Sequence, residues 1–184
     1  MKDFVFSIRL SIALFTIGTI LLLLFAINLS PLIGMIGYIY TVLAFFVAFV
    51  YLILLLARVA SGKIDRNVGL KSVVVLMTNI PIAILYFYFV MVLLSYARIT
   101  FENKTGHDTT SIKIGGCDEG EISKLAIDES RTIWLRIHGD CEIYIEYISN
   151  GQPYRETVCA YLTNNNGIAA RYEIGSNKDI MSGF

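Results

Sequence analysis

Charge is missing from most of the first half of this chain. Residues 10–57 contain no Asp, Glu, Lys, Arg or His, and neither do residues 72–97. Intramembrane proton or ion relays use ionisable side chains, so a charge-coupled transporter is not expected. There are only two histidines and three cysteines, with no C-x-x-C pair. A structural zinc site wants four ligands at short spacing, and Asp118, Glu119 and Glu121 do not have EF-hand spacing. No catalytic, metal or phosphate-binding motif is present. The chain is therefore expected to be a non-enzyme without a cofactor, and His107 and His138 read as exposed turn residues. No dense stripe of cations is found, which argues against nucleic acid as a partner.

What is present is a split. Three apolar stretches fill the first 97 residues, at 10–27, 32–57 and 72–97. Each reaches the ~18–20 residues that a helix needs to cross ~30 Å of hydrocarbon. We expect spans at about 8–29, 32–57 and 72–97, a β-domain at 98–175 and a flexible tail at 176–184. The net charge of zero conceals an asymmetry. Residues 1–97 carry six Lys/Arg against two Asp/Glu, and residues 98–184 carry nine against thirteen. The two parts suit different surroundings.

Basic residues stay on the cytosolic side. Lys2 and Arg9 flank the first span, and Arg58, Lys63, Arg66 and Lys71 fill the link between the second and third. Asn28-Leu29-Ser30-Pro31, between the first two, has no charge. The expected topology is N-terminus inside, 58–71 inside and 98–184 outside. The apolar core of residues 1–27 exceeds the usual 7–15 residues of a signal peptide and no A-x-A-like site follows, so it reads as an uncleaved span. A composition rich in Ile, Asn and Lys suits a bacterium with an AT-rich genome. The expected address is the bacterial inner membrane, with the C-terminal domain periplasmic or extracellular.

Few polar residues interrupt the spans. Gly34-x-x-Gly37 and Ala44-x-x-x-Ala48 offer small faces for close helix approach, within one chain or in a homo-oligomer. Pro81 removes a helical donor and should kink the third span.

From Arg98 the apolar period becomes two. About seven short strands follow, with turn signals every 8–12 residues, the pattern of an antiparallel Ig-like β-sandwich; a small barrel is the alternative. The clearest element surrounds Asn150-Gly151, a pair preferred in type I′ hairpins. It should place Ser149 opposite Gln152, Tyr147 opposite Tyr154 and Glu146 opposite Arg155. Alternation then puts Val158, Ala160 and Leu162 inside and Cys159 outside. Cys117 and Cys141 are the expected disulfide, closing a loop worth ~3 kcal/mol in the chain-entropy model, with Cys159 left unpaired.

Trp134 alternates away from Ile133, Leu135 and Ile137. With Tyr144 and Tyr161 it is the expected partner patch, because aromatics are enriched at binding hot spots. The functional expectation is a binding protein held in the lipid bilayer, whose β-domain recognises a protein partner. A concrete form is an immunity protein against a membrane- or envelope-acting toxin. The alternative is an accessory subunit of a transporter, channel or envelope-assembly complex.

Overall fold

A computed structural model describes residues 2–180. Its elements are α1 (Lys2–Asn28), α2 (Pro31–Ala60), α3 (Arg66–Met77) and α4 (Asn79–Leu94), then seven strands. The strands are β1 (Tyr96–Asn103), β2 (Thr109–Gly116), β3 (Gly120–Leu125), β4 (Ser130–Arg136), β5 (Cys141–Ser149), β6 (Gln152–Leu162) and β7 (Ala169–Ile174). Two compact units divide at Val90–Met91.

Three helical segments are long and apolar enough to cross a membrane: Asp3–Asn28, Pro31–Ala60 and Arg66–Leu94. At ~1.5 Å rise per residue each exceeds the ~30 Å of a hydrocarbon core. The link between the first two is tight. Pro31 opens α2 behind Ser30, where a missing N–H costs nothing. Asp65 caps α3 by accepting the Asn67 N–H at 2.8 Å. The third segment breaks at Thr78, between α3 and α4. Pro81 has no N–H to give the carbonyl of Met77, four residues back, so the ladder opens where the sequence predicted a kink.

Hydroxyl groups and a glycine fix how these helices meet. Buried Ser7 gives its hydroxyl to the Asp3 carbonyl at 2.9 Å and lies 3.2 Å from the Tyr51 hydroxyl. The Tyr40 hydroxyl donates to the Leu14 carbonyl at 2.7 Å, and Tyr86 bonds Thr19. Arg58 pairs with Asp3 at 2.7 Å, so the start of α1 and the end of α2 lie together. Gly69 marks a close approach of α3 to α2, since a Cβ there would meet Val59 Cγ2 at 2.3 Å. Of the expected small-residue face, Gly34 lies against Phe25, whereas a Cβ at Gly37 would point into open space.

The C-terminal unit holds two sheets, with strand orders β4-β1-β7 and β3-β2-β5-β6. One buried cluster draws on both. Ile99, Phe101, Leu135 and Tyr172 come from the first; Ile112, Ile122, Ile143, Ile145 and Val158 come from the second. The β5–β6 hairpin has the predicted register, with Ser149 opposite Gln152 and Tyr147 opposite Tyr154. Asn150 and Gly151 both take positive φ, 49° and 74°, as a type I′ turn demands.

Three features depart from the sequence reading. First, the sheets are not wholly antiparallel, because β1 pairs with β7 in parallel. Facing residues in a hairpin reveal its register, but nothing local to β1 identifies a partner so distant in sequence. Second, β1 begins at Tyr96 rather than Arg98, inside the stretch read as the third span. Ala97 is an inward strand residue, fully buried, and its apolarity extends the run of the helix before it. Third, Cys159 faces the core and Ala160 is exposed. Ile143 pairs with Cys159 and Tyr144 with Thr157. Val158 is thus an extra residue, a bulge that shifts the two-residue alternation. Of the expected tail, Asp179 accepts the Ala160 N–H at 3.1 Å and Ile180 packs on the core. Residues 181–184 lie outside the described residues.

Candidate interaction surface

The three aromatic residues singled out by the sequence do not meet on one face. Trp134 lies on β4 of the three-stranded sheet; Tyr144 and Tyr161 lie on β5 and β6 of the four-stranded sheet. Trp134 is 46% exposed and Tyr161 58%. Trp134 is joined instead by Tyr96, ring centroids 6.4 Å apart and nearly perpendicular. The Arg98 guanidinium lies 5.4 Å from the Trp134 ring centroid. Tyr161 bonds Asp140, and that carboxylate raises its phenol pKa.

Tyr144 is packed between two neighbouring strands. It stands opposite Gly115 of β2 and Thr157 of β6. A Cβ at Gly115 would fall 2.6 Å from the Tyr144 Cζ and hydroxyl, so the missing side chain is the seat for this ring. Arg155 covers the ring with its guanidinium 4.0 Å from the centroid, a cation–π contact. It also reaches Glu146 at 3.2 Å. The same outer face carries Ile148, 41% exposed, and Pro153 opposite it. A face with a seated aromatic, an arginine and exposed apolar side chains has the make-up of a protein contact.

The next residue, Gly116, has φ +108°, and a Cβ there would collide with the Glu142 carbonyl oxygen at 1.9 Å. This lets the Cys117 N–H reach that carbonyl at 2.9 Å. Cys117 and Cys141 are bridged, with Cα atoms 5.0 Å apart. Cys159 is a free, buried thiol, and burial raises its pKa. Asp118 follows the bridge and accepts the Arg136 N–H at 3.0 Å and the Glu119 N–H at 2.9 Å. The first of these bonds does most to lower its carboxyl pKa. Among the described residues no group of three His, Cys, Asp or Glu side chains could hold a metal ion.

Beneath the face sits a buried carboxylate that the sequence reading passed over. Glu156 is 6% exposed. It accepts hydrogen bonds from Tyr147, from Tyr172 at 2.7 Å and from the Gly175 N–H at 3.1 Å. Burial first, then the carboxylate, pushes both phenol pKa values up. A signal was available: the predicted pairing puts Glu156 on the inward side, next to outward Arg155. The Tyr144–Arg155 stack had no such signal, because the same register pairs Arg155 with Glu146.

No family model and no curated protein matches this chain. A solved structure, described as the NMR structure of the protein from Eubacterium rectale, is similar to part of it. The two are 16% identical with a TM-score of 0.35, over 47% of this chain and 84% of that one. A likeness of that size carries no argument about fold or function.

Proposed function

We propose that this is a membrane-anchored recognition protein. Three helices cross the inner membrane of a bacterium, and an Ig-like β-sandwich on the periplasmic or extracellular side binds a protein partner. The Asp3–Arg58 pair, which gathers the start of α1 with the end of α2, supports one shared side for the N-terminus and the 58–71 link, and the basic residues there favour the cytosol. Two sheets around one core support the sandwich, with β1 and β7 as a parallel pair within it.

The observation that carries the reading is the Tyr144–Arg155 pair seated over Gly115. Hot spots favour Tyr and Arg held in advance of binding. In concrete form the partner is a toxin that acts on the membrane or envelope, and the chain protects the cell that makes it. The test is expression in a sensitive strain beside a toxin encoded next to this chain. Survival is expected with the native chain and killing with Tyr144→Ala at equal membrane abundance. Killing with the native chain overturns the immunity reading.

The alternative of an accessory subunit rests on α4, none of whose residues is buried. There the helices would carry the partner contact. Exchange of the three spans for unrelated ones separates the readings, since only a subunit would lose its partner.

A further inference from the structure

The outer face of the three-stranded sheet changes character along its length. At one end Tyr96 pairs with Arg136 and Arg98 with Trp134. In the middle Thr100 meets Thr132, their hydroxyls 2.8 Å apart. At the other end Glu102 pairs with Ser130 and with Glu173. Glu102 is held there by Lys104 at 2.9 Å and Arg171 at 3.0 Å. One end of this face thus carries two aromatics and two arginines, with the Asp118 carboxylate on the Arg136 N–H, and the opposite end carries Glu102 and Glu173 with the cations Lys104 and Arg171.

The aromatic, cationic end is the one that follows α4. That helix stops at Leu94 and β1 starts at Tyr96. The Ser95 carbonyl accepts the Ile137 N–H at 2.9 Å, which ties the end of β4 to the same turn. A chain advances at most ~3.6 Å per residue, so Tyr96 lies within ~7 Å of Leu94 and Arg98 within ~14 Å. The headgroup layer on each side of a bilayer is ~5–8 Å deep. Tyr and Trp favour that layer because each has an apolar body and a polar tip. Arg donates to phosphate in a fork that matches its oxygens. Glu102 follows further along the same strand, at most ~29 Å from Leu94.

We infer that the corner formed by Tyr96, Arg98, Trp134 and Arg136 is a lipid-headgroup site, which seats the β-unit on the phosphates of the bilayer from which α4 emerges. This rests on the membrane-anchored reading above. It gives Trp134 a different role from Tyr144: one face holds lipid and the other remains for a partner.

Trp134 is the one tryptophan of the chain, so its fluorescence reports this corner alone. The full chain is reconstituted into vesicles of phosphatidylcholine and phosphatidylglycerol, and integration is checked by resistance to alkaline carbonate. Nitroxide on the lipid headgroup is expected to remove most of the emission. Nitroxide at the acyl-chain end, and acrylamide in the water, should remove little. A carbonate-resistant chain whose Trp134 is quenched by acrylamide and not by headgroup nitroxide overturns the headgroup site and leaves the anchor standing. Protection from all three quenchers points to a protein surface over Trp134 and also overturns it. Release by carbonate overturns the anchor, and the headgroup site with it.

Discussion

The Tyr172 hydroxyl donates to Glu156 Oε2 at 2.7 Å, joining β7 of one sheet to β6 of the other. Tyr147 of β5 bonds the same carboxylate. Leaving a buried hydrogen-bonding group without its partner costs about 1–3 kcal/mol. Glu156→Gln keeps the shape but turns an acceptor into an N–H₂ donor facing donors. We expect a loss of about 1–3 kcal/mol, read as a lower midpoint of thermal unfolding for the intact chain in micelles. An unchanged midpoint would remove the network from the account of stability.

Asp118 gives the β-unit an acid sensitivity of defined sign. Its carboxyl pKa lies below the ordinary 3.8, chiefly through the Arg136 N–H. A depressed carboxyl stabilises the fold above its unfolded pKa and loses that contribution as pH falls through the folded value. Unfolding midpoints should therefore drop below about pH 4. Asp118→Asn should lower the midpoint at neutral pH and flatten the acid limb. An acid limb as steep in the variant as in the native chain would contradict this.

The two kinds of cysteine should respond differently to reagents. Reduction of Cys117–Cys141 opens a loop with a sequence separation of 24 and should cost about 3 kcal/mol. Cys159 is fully buried, so iodoacetamide should leave it unmodified until the β-unit unfolds. Mass spectrometry of the alkylated chain, native and denatured, decides this point.

Gly115→Ala tests the seat of Tyr144. The added Cβ would fall 2.6 Å from the ring, and the ring is the far end of a movable side chain. It should swing away from Arg155 at a cost of about 1 kcal/mol or less. In the toxin assay of the proposed function, protection should weaken as expected for Tyr144→Ala, with the unfolding midpoint little changed. Full protection would separate the ring's position from recognition.

How much of this was legible depends on the range over which a residue acts. The helices were, because apolar length is a property of the run itself, and Pro81 announced its own break. So was the β5–β6 register, because Asn150-Gly151 and the facing pairs Tyr147/Tyr154 and Glu146/Arg155 lie a few residues apart. The bulge at Val158 was hidden, since nothing in its side chain marks an extra residue. Hidden too was the division of the aromatics between two sheets, which follows from strand order. Trp134 alternates outward as Tyr144 does, and only the pairing of β4 with β1 puts it beside Tyr96 and Arg98.

Because β1 and β7 lie side by side, the first strand to be made waits for the last. During synthesis one margin of β1 has exposed amides and carbonyls with no neighbour to take them. The strand that seals it arrives only after nearly all of the domain has left the ribosome. A nascent chain stalled before Ala169 would therefore present an adhesive border, a natural foothold for chaperones and a point where premature termination turns into clumping.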